Sequence, residues 1–191
     1  MKGYKAFNSD WTCRDFKYEV GKTYDHEGEI VLCRSGFHFC QSLSTVIDYY
    51  PLNPTIHFCE VEALGYVIAG DGKFVTNKIK IIKEISFNDV LVKLSEDENK
   101  FIRYTVAKNN NTPIDILIKL SKDENECIRC AVAGNNNTPI DVLTKLSEDK
   151  DQYVRYAVAR NNSTPIGILT KLSKDKNWCV KLAAMRVNRI S

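Results

Sequence analysis

The sequence lacks any apolar run approaching the roughly 18 residues that a membrane-spanning helix needs, so no membrane partner is expected. Residues 1–6 lack the apolar core of a signal peptide, and the expectation is a cytoplasmic protein, within a host cell. Seven cysteines are present, but the number is odd and their spacing forms no regular framework, which fits reduced thiols better than a disulfide-stapled secreted domain. Neither sign of charge dominates, because the formal net charge is only +3. Residues 1–87 carry 10 basic and 11 acidic groups and residues 88–191 carry 17 and 13, so the C-terminal half is mildly basic, short of a strong nucleic-acid signature. No phosphate-binding loop, metal-hydrolase motif or hydrolytic nucleophile set occurs, so no cofactor is implied. A hydrophobic fraction of 43% excludes disorder as the default.

What the chain does have is an internal period of 26 residues. A shift of that length superimposes Leu94, Leu120, Leu146 and Leu172, then Ser95, Ser121, Ser147 and Ser173, then Asp97, Asp123, Asp149 and Asp175. Ile102, Ile128, Val154 and Val180 follow, with Arg103, Arg129, Arg155 and Lys181 one position later. Each unit reads as two helices. Thr112-Pro113-Ile114-Asp115 opens one unit, with Thr as a cap, Pro in the first turn and Asp reaching back to free amides, and Ser86-Phe87-Asn88-Asp89 opens the first unit in the same way. Asn109-Asn110-Asn111 and its equivalents close the units, asparagine being tolerant of the left-handed conformation that ends helices. A helix pair of this length cannot bury its own apolar face, so the units must stack. A terminal cap is expected at Ile190-Ser191.

Positions that stay the same in every unit serve the stack, whereas exposed positions that vary are free for another task. With Ile102 facing the core, 100° per residue puts Thr105 and Val106 beside it and Lys100, Tyr104 and Lys108 opposite. The corresponding outward sets are Glu126, Cys130 and Gly134; Gln152, Tyr156 and Arg160; and Trp178, Leu182 and Arg186. Exposed Tyr, Trp and Arg are the types that carry binding energy once a partner covers them, so this stripe is the candidate binding surface. The column Arg103, Arg129, Arg155 and Lys181 has two readings: a structural ladder of Asp-Arg pairs between units, or a row that holds phosphates. Nucleic-acid binding through Lys100, Arg103, Lys108, Arg155, Arg160, Lys181 and Arg186 is the alternative function, which the interspersed Glu124, Glu126 and Asp151 weaken. Trp178 and Cys179 near the end of the stack also leave apolar surface for a second copy.

The pattern Ile102-Arg103-Tyr104, Val106-Ala107, Asn109-Asn110-Asn111-Thr112-Pro113-Ile114 resembles the variant leucine-rich repeats, relatives in shape of HEAT repeats, over residues 86–191. The resemblance implies a right-handed α-solenoid whose second helices line a concave face. Some members of that family carry an iron–sulfur cluster on a tight cysteine group, and no such group precedes the repeats here.

Residues 1–85 change period. Segments 18–24, 29–33, 56–63 and 77–85 read as strands, with alternation clear in Lys78-Ile79-Lys80-Ile81, and one helix is expected over 43–50, started by Ser42 and stopped by Pro51. The fold class is therefore α+β, a small β-rich domain (1–85) followed by a four-repeat α-solenoid (86–191). His38 with Cys40 and His57 with Cys59, near Cys33 or Cys13, offer nitrogen and sulfur ligands two apart on strands; buried structural thiols are the competing and preferred reading, and no metal is assigned.

The run Cys33-Arg34-Ser35-Gly36-Phe37-His38-Phe39-Cys40, with Tyr49-Tyr50, a later Glu60-Val61-Glu62 strand and Tyr18-Glu19-Val20-Gly21-Lys22, resembles a small domain of phage and mobile-element proteins with no established activity. The same turn, the aromatic helix end and the strand bearing Glu60 and Glu62 also look similar to the ADP-ribosyltransferase fold, which implies a NAD-using enzyme with a glutamate that orients the nucleophile. The preferred expectation is a non-catalytic module that binds a host protein or protein complex, such as an inhibitor of a host defence complex.

Overall fold

The structure, a computed structural model, describes residues 1–187, with side chains placed as far as Met185. The chain divides into two compact units, one from Met1 to Val90 and one from Leu91 onward. The fold is α+β: an antiparallel sheet is followed by a run of helices. Among the described residues no helix is long and apolar enough to cross a membrane.

The first unit contains β1 (Lys2–Phe7), β2 (Thr12–Cys13), β3 (Phe16–Lys17), β4 (Thr23–Asp25), β5 (Phe37–Cys40), α1 (Leu43–Val46), β6 (His57–Ala63), β7 (Val67–Ala69), β8 (Lys73–Thr76) and β9 (Lys78–Ile85). Seven strands make one sheet in the order β4-β9-β6-β1-β5-β8-β7, and β2 pairs with β3 as a separate hairpin. Alternation does what the sequence suggests in β9: Ile79 and Ile81 are fully buried and join Phe7, Tyr18, Phe37 and Val61 in the core, while Lys80 points to solvent. β1 lies between β6 and β5, with α1 packed on it. Its adjacent residues Lys5 and Ala6 are both buried, and because neighbours on a strand face opposite ways, both faces of β1 are covered. Gly3 is required there, since a Cβ would lie 2.5 Å from the Cys40 carbonyl oxygen.

Two expected strands are corrected. Residues 18–24 form strand only from Thr23, and Tyr18 is buried by its ring contacts with Phe7 and Tyr24 instead of by strand pairing. Residues 29–33 make a loop with a single bridge, Val31 to Ser35, because Cys33 turns to φ 66, a conformation no strand accepts. The helix expected over 43–50 keeps its start, where the Ser42 hydroxyl accepts from the Thr45 amide at 3.1 Å, but is helical only to Val46.

Helix α2 (Phe87–Ser95) opens with Ser86, whose hydroxyl accepts from the Asp89 amide and donates to the Asp89 carboxylate. The second unit then alternates α3 (Lys100–Lys108), α4 (Ile114–Leu120), α5 (Glu126–Gly134), α6 (Ile140–Leu146), α7 (Gln152–Arg160), α8 (Ile166–Leu172) and α9 (Trp178–Val187). The period of 26 is visible in the core: Leu91, Leu117, Leu143 and Leu169 are buried in register, as are Ile102, Ile128, Val154 and Val180. Successive second helices α3, α5, α7 and α9 pack on one another, so each apolar stripe is covered by the neighbouring unit. The terminal cap expected at Ile190-Ser191 lies outside the described residues.

The cap chemistry differs from the sequence reading. Thr112 does not cap α4; its hydroxyl is buried and donates to the Val106 carbonyl at 2.6 Å, tying the end of α3, and Pro113 occupies the cap position with no side-chain bond. Thr138 and Thr164 repeat this on Val132 and Val158. The asparagines that close the units are extended, not left-handed: Asn109, Asn135 and Asn161 have φ of −70°, −77° and −73°. Their role is between units. The Asn135 amide donates to the carbonyls of Ala107 and Asn109 at 2.9 and 3.0 Å, and Asn161 does the same to Ala133 and Asn135 at 2.7 and 2.9 Å. Thr105, placed beside the core by helical angle, is exposed and bonds back to the Phe101 carbonyl, leaving Ile102, Val106 and Ala107 as the inward set.

Candidate functional site

The second helices are held at fixed spacing by three identical clamps. Arg103 donates through Nε and Nη2 to the Asp123 carboxylate at 2.7 and 3.2 Å, and its Nη1 bonds the carbonyls of Asp97 and Glu98. Arg129 and Arg155 repeat the arrangement on Asp149 and Asp175. The ladder thus runs forward from each arginine to the next unit's aspartate, and the aspartate in the turn before the arginine's own helix supplies only its carbonyl. Arg155 holds the Asp175 carboxyl below the usual carboxylate range. For Asp123 and Asp149 burial pushes the other way, and the arginine and backbone N–H bonds outweigh it. Lys181 sits half-buried at the fourth position of the column.

On the face carried by this frame, the C-terminal halves of α3, α5 and α7 enclose a groove of about 530 Å³. Tyr104 and Lys108 form one wall and Tyr156 and Arg160 the other. Ala131, Ala157 and Gly134 make the floor. At the position where its neighbours have Lys108 and Arg160 the middle unit has Gly134, and a Cβ built there meets nothing within 4 Å. Arg160 donates to the Tyr156 hydroxyl at 3.1 Å, with its guanidinium carbon 5.8 Å from that ring's centroid, so the aromatic and the cation hold each other in place. None of the described residues lining the groove is acidic. Cys130 lines it too, and burial raises its thiol pKa.

The sequence stripe is therefore divided. Tyr104, Lys108, Cys130, Gly134, Tyr156 and Arg160 come together in the groove. Lys100, Glu126, Gln152, Trp178 and Leu182 do not line it: Lys100 lies over the Phe101 ring, Gln152 accepts from the Asn177 side chain, and Trp178 is 67% exposed on α9. The side chain of Arg186 lies outside the described residues. Two exposed aromatics, Phe101 and Tyr153, escaped the sequence stripe because they sit one position off it, at the start of α3 and α7.

In the first unit both histidines of the His–Cys pairs are engaged by other groups. His57 bonds Glu84 at 2.7 Å and the Ser9 carbonyl, and stacks on Trp11. His38 accepts from the Cys33 amide through Nε2, and Cys59 is buried in the core. Among the described residues no three His, Cys, Asp or Glu side chains converge as a metal site. Glu60 pairs with Lys83 at 3.4 Å on β6.

Residues 1–93 match a family described only as a domain of unknown function, DUF7666. The match covers the β-rich unit and stops inside α2, and no solenoid-repeat family matches the helices beyond it. No curated protein matches the chain.

Proposed function

We propose that the protein is a non-catalytic binding module whose helical unit takes an acidic segment of a partner protein into the groove between α3 and α7. The observation that carries this reading is the groove lined by Lys108, Arg160, Tyr104 and Tyr156, open at Gly134 and with no carboxylate among the described lining residues. A carboxylate entering there meets two cations, and the tyrosines supply apolar contact at low conformational cost. The concave position of the second helices follows the resemblance to HEAT-like stacks, and the resemblance of residues 1–85 to a phage domain makes a host-cell protein complex the expected partner, as for an inhibitor of host defence.

Nucleic acid is the competing partner, and the ladder counts against it. Arg103 and Arg155, two of the seven cations it would use, are engaged bidentately by aspartates, which leaves a sparse row for a phosphate backbone. A transferase reading is weakened because neither Glu60 nor Glu62 lines the cavity of the β-rich unit described below.

The test is capture of partners from host lysate by tagged protein, with nuclease treatment in parallel and with Gly134→Leu as control. Leucine suits a helix better than glycine and fills the groove without touching the ladder. A protein partner that survives nuclease and is lost with Gly134→Leu supports the proposal. Retention by Gly134→Leu, or loss of all partners with nuclease, refutes it.

A further inference from the structure

The β-rich unit encloses a second cavity, of about 470 Å³, within the range of small-molecule sites. Lys5, from the doubly covered strand β1, lines it and is only 6% exposed. Its ammonium donates to the His38 carbonyl at 2.8 Å and to the Cys13 sulfur at 3.4 Å, and lies 5.5 Å from the ring centroids of Phe7 and Tyr18. Three protons and two acceptors leave one proton facing only the Phe7 and Tyr18 rings. Among the described residues no carboxylate balances this buried cation, and burial drags its pKa below the usual lysine value although Cys13 opposes the shift. Burying an unpaired charge is costly, and an arriving anion would remove that cost.

Three more cations, Arg14, Arg34 and Lys73, line the same cavity, and none of its described lining residues is acidic. His38 adds no charge, since burial and Lys5 depress its pKa and its Nε2 already accepts from the Cys33 amide. The remaining walls are rich in rings: Phe16, Tyr18, Tyr49 and Tyr50 contribute, and Tyr50 is fixed by a hydroxyl bond to the Cys13 sulfur. The rim is strained and braced. Arg14 and Cys33 have φ of 56° and 66°, left-handed conformations that are unfavourable for a non-glycine residue. The Arg14 guanidinium bonds the Cys33 and Arg34 carbonyls at 3.1 and 3.0 Å, which joins the two strained loops. Such bracing fixes a site before its ligand arrives.

We infer that this cavity binds a nucleoside phosphate, its phosphate facing Lys5 and the rim cations and its base against the aromatic wall. The site lies entirely in the first unit and is independent of the groove at Gly134.

Calorimetric titration of the full chain with AMP, GMP, CMP and UMP tests it, with adenosine and inorganic phosphate as half-ligands. The expected result is binding of at least one nucleotide, at least tenfold tighter than either half-ligand. Arg34→Ala with Lys73→Ala should weaken it at least tenfold; Arg34 is exposed and Lys73 half-buried over the Tyr49 ring, and circular dichroism checks that the double variant folds. Lys5→Met should abolish it; if that variant fails to fold by circular dichroism, the rim double variant decides. Absence of binding by all four nucleotides, phosphate binding as tightly as its nucleotide, or an unchanged affinity in the rim variant overturns the inference.

Discussion

Arg129 grips the carboxylate of Asp149, in the following repeat, through two parallel bonds, Nε to Oδ2 at 2.7 Å and Nη2 to Oδ1 at 3.0 Å. Both side chains are under a tenth exposed. A pair so enclosed is expensive to break on one side only, because the partner charge stays buried. Arg129→Ala should therefore cost about 3–5 kcal/mol in urea unfolding. The exposed pair Lys119–Glu96, at 2.6 Å, provides the contrast: Lys119→Ala should cost less than about 1 kcal/mol.

The same clamps set a pH dependence. Asp123, Asp149 and Asp175 have folded-state pKa values below the 3.8 of a free aspartate. Their stabilisation is complete above that value and is lost as pH falls through the folded pKa, where the native carboxylates take up protons. The melting temperature should be level in the neutral range and fall below about pH 4. The fall should be shallower in Asp149→Asn, and a parallel fall in that variant would show that the ladder is not its source.

Asn135 and Asn161, each at the end of a second helix, are rivets between units. Asn135→Ala leaves two carbonyls, Ala107 and Asn109, without the amide that reaches them across the stack. The expected cost is about 1–3 kcal/mol, with Asn135→Asp no better because a carboxylate cannot donate. Chemical denaturation of the two variants measures it.

Two glycines should respond in opposite ways to alanine. Gly134→Ala enters open space on a helix and should stabilise by about 0.5–1 kcal/mol. At Gly3 the added methyl would lie 2.5 Å from a backbone oxygen and 2.6 Å from the Phe39 ring, so Gly3→Ala should destabilise by about 1–3 kcal/mol or more. Thermal melts of the pair decide both signs.

The helical half was legible because each unit repeats one pattern, and a repeated pattern reveals which positions face inward before any contact is known. What the period conceals is direction: it aligned Asp97 with Arg103 on one unit, whereas the carboxylate that Arg103 grips is Asp123 of the next. The β-rich half was less legible because β1 is covered on both faces, so Lys2–Phe7 shows no alternation, and β5 spans only Phe37–Cys40 with three of its four residues buried. The groove was half visible. Its cations and tyrosines lay on the outward stripe, but the feature that opens it is a missing side chain, and Gly134 reads in sequence as a weak helix residue.

The arginine and asparagine ties between neighbouring units span constant intervals. The arginines reach 20 residues forward to an aspartate, and the asparagines reach 28 back to an alanine carbonyl. Removing or duplicating any 26 consecutive residues inside the array therefore rejoins matching partners; with residues 104–129 excised, Arg103 would meet Asp149. The stack can change length in whole tiles with no seam to repair, and since the recess depends on one glycine-bearing tile set between two basic ones, the order of tiles spells out what the surface presents.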